Sequence, residues 1–254
     1  MALKNQMTNE IKTLFELSQI NSGQPFYFNQ IPELPEPVQR YFDFSLKKRQ
    51  NINCISTRFS GFFRLTDSQK WFSIKGEDYY TVKNPGFIWF AKIKMSPFFW
   101  ITVRDCYLQD KGQVLAKAYS LFTFANAEGP EIDQGTLSRW ISSAVWFPPA
   151  LLPNEHLTWE HIDNKSSRLL FSYKGIKINA VISFGRNGEI IKLVTDRYCS
   201  ETHNFEKWTA YCKSYSDYNG FNIPTEIGAI WNFTTKNLHY ARFRLDSIDF
   251  DPTL

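Results

Sequence analysis

The sequence is short of the features that mark most recognisable functions. Its 254 residues contain four cysteines, Cys54, Cys106, Cys199 and Cys212, all far apart and without a Cys-x-x-Cys pair. That spacing excludes a disulfide scaffold, and reduced, buried thiols are expected. Of four histidines, His156 and His161 are five apart, which places them on opposite faces of a strand, and neither has a carboxylate or cysteine at ligand spacing. No metal site is expected. No Gly-x-Ser-x-Gly elbow is present, and Gly185-Arg186-Asn187-Gly188 sits between strand-like segments as a hairpin turn instead of opening a helix, so neither a serine nucleophile nor a phosphate loop is implied. No cofactor is expected.

Long apolar runs are missing too. The longest, Pro97 to Val103 and Val145 to Leu152, fall well below the ~18 to 20 residues of a membrane helix. The first residues lack the apolar core of a secretory signal, so the expected location is cytoplasmic. Lys and Arg number 29 against 25 Asp and Glu, a net +4 that is too mild for a dedicated nucleic-acid binder. Lys47-Lys48-Arg49 reads as the solvated end of a helix.

Aromatic residues are plentiful at 17%, with 23 Phe, 12 Tyr and 8 Trp. Rings supply buried area faster than a simple core requires, so some are expected to wall a ligand site. They lie largely on segments of period two. Phe87, Trp89, Ala91 and Ile93 share one face of a strand while Lys92 and Lys94 take the other. Further strands are expected over 99–103 and 114–124, at Ile176–Phe184 with its partner Glu189–Tyr198, and through 207–250 with a turn at Asn219-Gly220. Three helices interrupt them: one through Ile11, Leu14 and Phe15 with Thr8 as N-cap, one opening at Pro35-Glu36-Pro37, and one through Leu137, Trp140, Ile141, Ala144 and Val145 that Pro148-Pro149 stops. Strands joined by short turns are antiparallel. The fold class expected is α+β: a single large, strongly curved antiparallel sheet, half-barrel-like, with about three helices on its concave face. A helical arm over 1–34 precedes a single domain over 35–254.

The segments Leu34-Pro35-Glu36-Pro37-Val38-Gln39-Arg40-Tyr41, Pro85-Gly86-Phe87-Ile88-Trp89, Gly129-Pro130-Glu131-Ile132-Asp133-Gln134-Gly135 and Trp146-Phe147-Pro148-Pro149-Ala150-Leu151-Leu152-Pro153, in that order, resemble an uncharacterised bacterial domain-of-unknown-function family. Trp159, Asp163, Arg197, Trp208, Asp217-Tyr218-Asn219-Gly220 and Ile223-Pro224 extend the likeness. Val103-Arg104-Asp105 lacks the glycine that the family tends to place before its Arg-Asp, and Leu108-Gln109-Asp110 lacks another. The family lends no activity. In layout the chain also resembles, distantly, the periplasmic half-barrel carriers of lipoproteins and lipids, a resemblance that implies a hydrophobic ligand between sheet and helices.

The function expected is binding or carriage of a lipid-like small molecule, with Trp89, Trp100, Phe122, Trp146, Phe147 and Trp231 as the lining and Asp105, Glu131, Asp133, Arg139 and Arg197 as polar pocket candidates. The partners implied are that molecule and, transiently, a membrane surface. One alternative is an enzyme using Glu131 and Asp133 with Arg139 or Arg197 on a polar substrate. Another is a structural or partner-binding protein whose groove is filled by its own side chains. Glu131 and Asp133 also suit a plain role, since carboxylates in the first turn of a helix complement its dipole.

Overall fold

The computed structural model describes residues 2–20, 26 and 28–253. Three α-helices, α1 (Ala2–Ile20), α2 (Glu36–Ser45) and α3 (Pro130–Ser143), accompany six strands in the first half: β1 (Cys54–Phe63), β2 (Phe72–Thr81), β3 (Gly86–Lys94), β4 (Trp100–Leu108), β5 (Lys111–Ala118) and β6 (Phe122–Glu128). Seven more follow: β7 (Leu157–Asp163), β8 (Ser166–Tyr173), β9 (Ile176–Phe184), β10 (Ile190–Cys199), β11 (Asn204–Tyr218), β12 (Phe221–Asn232) and β13 (Asn237–Phe250). They form one thirteen-stranded antiparallel sheet in the order β6-β5-β4-β3-β2-β1-β13-β12-β11-β10-β9-β8-β7. The α+β class and the single antiparallel sheet expected from the sequence are both present. No helix among the described residues is long and apolar enough to cross a membrane. The chain divides into two compact units: 1–25, 52–140 and 243–254 form the first, 26–51 and 141–242 the second.

In the first unit, the strand registers explain how both faces are used. Cys54, Ile88 and Cys106 lie on one face and pack against Ile11, Leu14 and Phe15 of α1. Thr57, Asp78, Trp89 and Asp105 stand opposite one another on the other face, which Arg139 of α3 meets. The helices were expected on a single side of the sheet; α1 instead covers the side that α3 does not. It does so because Phe87, Trp89 and Asp105 are not the only buried positions of β3 and β4: Ile88 and Cys106 are apolar as well and need a cover. Thr8 lies inside α1, six residues beyond its start, and not at its cap.

Phe59 fills the space over its cross-strand partner Gly76, where a Cβ would collide with the ring, and stacks on Trp89 at 5.7 Å between centroids and 10° between planes. The 114–124 segment, expected as one strand, folds back at Tyr119-Ser120 into β5 and β6, both residues at positive φ. Neither is the glycine or asparagine that usually announces such a turn.

In the second unit, prolines open α2 as expected, and Val38, Tyr41 and Phe42 are its buried stripe. The β9–β10 hairpin turns at Arg186-Asn187-Gly188. Gly188 has φ +97° and lies so close to the backbone of Arg40 that no side chain fits. Tyr41 packs on Phe184 at 6.0 Å, joining α2 to the buried face of β9.

Candidate functional site

The first candidate is the row across β1 to β4. Thr57 is paired with Asp78, Asp78 with Trp89, and Trp89 with Asp105, so the four side chains project from one face in line. Thr57 Oγ1 donates to Asp78 Oδ2 at 3.0 Å. From α3, Arg139 Nη1 donates to Asp105 Oδ2 at 2.7 Å, and the guanidinium carbon lies 4.4 Å from the Trp89 ring centroid and 5.6 Å from that of Phe87. Asp78 is only 1% exposed. Burial pushes its carboxyl up to about 7, against the opposing pull of Arg139 and of hydrogen bonds from Thr57 and Tyr80, with the charge of Asp105 adding to the rise. A carboxyl poised near neutrality beside an arginine–carboxylate pair can accept or release a proton at physiological pH.

Glu131 and Asp133 do not join this row. Asp133 Oδ1 accepts from the Gly112 backbone N–H at 2.6 Å and its Oδ2 faces Lys111 Nζ at 3.4 Å, so it ties the β4–β5 turn to the first turn of α3. Glu131 is exposed in that same turn. Arg139 reaches Asp105.

The second candidate lies in the second unit. Trp208 is paired with Trp231 across β11 and β12. Trp231 stacks on Phe233 at 6.2 Å and 16°, and on Tyr240 at 6.2 Å and 22°. Trp208 Nε1 donates to Tyr240 Oη at 2.9 Å, which fixes the Tyr240 ring. Arg197, from β10, lies over these rings, 5.3 Å from Trp208 and 6.0 Å from Trp231. Trp208 is buried; Arg197, Trp231, Phe233 and Tyr240 are half-buried, so the rings form an apolar shelf with a cation over its middle.

Trp146 and Phe147 are placed elsewhere in this unit and are fully packed. Trp146 Nε1 donates to the Pro224 carbonyl at 3.1 Å, and the short 3-10 turns at Ala144–Trp146 and Pro148–Leu151 are buried throughout. They form core. Trp100 and Phe122 stand at the far end of the first unit's strands: Trp100 is half-buried beneath Lys92 at 4.2 Å, and Phe122 is 69% exposed.

The structure thus brings Trp89 together with Asp105 and Arg139, and Trp231 with Arg197, and leaves the other candidates in separate surroundings. The residues missed are Asp78 and Thr57, and Trp208, Phe233 and Tyr240. Asp78 sits in Lys75-Gly76-Glu77-Asp78, a polar run that reads as solvated until the register places it opposite Trp89.

A surface depression of about 440 Å³ in the second unit is lined by Phe44, Glu189, Cys212 and Tyr215, among others, and contains none of the sequence-derived candidates. Tyr215 Oη donates to the Ile190 carbonyl at 2.7 Å, and burial pushes this phenol up, so it is a packing group and not an acid at neutral pH.

Among solved structures, a LolA superfamily protein from Nitrosomonas europaea is similar at 8% identity, with 86% of this chain and 93% of that chain covered and a TM-score of 0.47. A DUF1329 family protein from Desulfovibrio piger is similar at 9% identity, with 91% and 95% covered and a TM-score of 0.36. No curated protein matches the chain. The pattern of the family of unknown function DUF6544 matches residues 24–243, and the chain belongs to that family.

Proposed function

We propose that the protein binds a hydrophobic, lipid-like molecule bearing an acidic headgroup, on the shelf of the second unit. The observation that carries this reading is the stack of half-buried rings, Phe233, Trp231 and Tyr240, with the Arg197 guanidinium over its middle ring, Trp231. Rings left half open present apolar area that an acyl chain covers. Burial contributes about 0.8 kcal/mol per methylene, so about ten methylenes supply about 8 kcal/mol before the entropy of association is subtracted. Arg197 then distinguishes a carboxylate or phosphate head from a neutral one by charge-assisted hydrogen bonds.

Calorimetric titration with a long-chain fatty acid and with the matching fatty alcohol tests this. Trp231→Ala weakens both ligands at least tenfold, and Arg197→Gln weakens the acid selectively. No uptake of either ligand, or uptake indifferent to both substitutions, overturns the reading.

A second reading, enzymatic, is supported by one observation, the Asp78 carboxyl held near 7 beside the Asp105–Arg139 pair. It moves the acid–base role away from Glu131 and Asp133. Loss of a turnover in Asp78→Asn with the fold intact is its test.

A further inference from the structure

Antiparallel pairing puts the β1–β2, β3–β4 and β5–β6 turns at one end of the first unit, since Phe63 is opposite Phe72, Ser73 opposite Lys94, Lys94 opposite Trp100 and Ile101 opposite Ala118. That end is unusually greasy for a surface. Phe98 is 85% exposed and Leu121 73%, with Phe62, Phe122 and Phe124 also exposed. Contiguous exposed apolar side chains mark a contact site more often than chance exposure.

The charges beside them are mostly positive. Residues 60–75, 92–102 and 117–124 carry six cations and one carboxylate, Asp67, which is already paired with Arg64 at 2.7 Å; Asp246, which accepts from Ser60 opposite Lys75, is paired with Arg244 at 3.3 Å. Lys75 and Lys92 are directly opposite each other across β2 and β3, and Lys117 is opposite Thr102, the residue that faces Lys92. The three lysines therefore form a row on the face that also carries Lys94 and Trp100. Like charges facing across strands destabilise a sheet. Their use as guards against edge-to-edge aggregation does not apply, because β2, β3 and β5 are interior strands. Lys92 Nζ rests 4.2 Å from the Trp100 ring centroid and Lys70 Nζ 5.9 Å from that of Phe72, so cations and rings are layered and not segregated.

We propose that this end of the first unit docks on the surface of an anionic phospholipid bilayer, with Phe98, Leu121 and Phe122 entering the boundary between headgroups and acyl chains and the Lys75–Lys92–Lys117 row set against the lipid phosphates. An anionic surface removes the repulsion within the lysine row, and rings at the level of the headgroups bury their apolar faces while the lysine stems reach outward. A protein partner would be expected to bury complementary carboxylates and would show no preference among lipids. The docking end shares no residue with the Arg197–Trp231 shelf, so either stands without the other.

Sedimentation of the full chain with vesicles of equal parts phosphatidylglycerol and phosphatidylcholine, and with vesicles of phosphatidylcholine alone, is the test. The chain sediments with the anionic vesicles, weakly or not at all with the neutral ones, and is released as salt is raised. Lys92→Glu with Lys117→Glu lowers partitioning roughly tenfold or more, and Phe98→Ser with Phe122→Ser lowers it as well, while fatty-acid uptake at the shelf is unchanged in both. These positions are exposed or half-buried, and circular dichroism confirms that the variants fold. Equal sedimentation with both vesicle types, none with either, or anionic binding unaffected by both pairs of substitutions overturns the proposal.

Discussion

Arg139 lies over Trp89, its guanidinium carbon 4.4 Å from the ring centroid, while its Nη1 reaches Asp105 at 2.7 Å. One side chain from α3 thus closes over an aromatic ring and neutralises a carboxylate that stands opposite that ring on the neighbouring strand. Hydrophobic packing and charge pairing are fixed by the same rotamer, which makes the arrangement stiff and costly to disturb.

Arg139→Ala leaves Asp105 buried without its cation, and the expected loss is about 3–5 kcal/mol in urea or guanidinium unfolding. Adding Asp105→Asn to Arg139→Ala recovers part of it. An Arg139→Ala protein as stable as the parent contradicts the pairing.

Asp78 makes the stability of the fold depend on pH. Its folded carboxyl titrates near 7, above the 3.8 of an unperturbed aspartate, so between those values the folded state holds a proton that the unfolded state has lost. Its contribution to stability is complete below about 4, falls as pH rises through this window and is level above about 7. The difference is up to roughly 4 kcal/mol. Asp78→Asn flattens that slope in unfolding curves collected across the window; an unchanged slope contradicts the assignment.

Asp133 braces the β4–β5 turn through the Gly112 N–H. Asp133→Ala removes the acceptor of the Gly112 N–H, a loss of about 1–3 kcal/mol. A methyl group at Gly112 would lie 2.8 Å from the Ile132 carbonyl oxygen and 3.0 Å from the Asp133 Cα, so Gly112→Ala is expected to be destabilising by a similar amount. Thermal melts check both, and an unchanged midpoint for either rejects the brace.

All four cysteines are free and buried, and burial pushes the thiols of Cys54 and Cys212 up to about 12 and that of Cys106 to about 11. A thiol reagent at pH 8 labels the folded protein slowly, with rates that follow its opening, and all four sites quickly once it is unfolded. Rapid labelling of the folded chain contradicts this.

Much of the fold is legible because its strands alternate cleanly and its turns are short. Phe87, Trp89, Ala91 and Ile93 against Lys92 and Lys94 give both the strand and its buried face, and Pro35-Glu36-Pro37 gives the start of α2. The site is less legible because it depends on register. Asp105 and Arg139 are candidates from the sequence, but only the pairing of β2, β3 and β4 brings Asp78 into their row. Trp146 and Phe147 show the opposite difficulty: an apolar, proline-rich segment reads equally well as ligand lining or as core, and both side chains are buried. The turn at Tyr119-Ser120 carries no signal residue, so the exposed apolar end it helps to form is visible only in three dimensions.

The most direct measurement of lipid binding is quenching of tryptophan fluorescence by a fatty acid brominated near its chain end. The expected result is saturable quenching in the parent and in Trp89→Phe, with most of it lost when Trp208→Phe and Trp231→Phe are combined. Quenching that persists undiminished in that double variant, or none in the parent, contradicts the shelf as the ligand site.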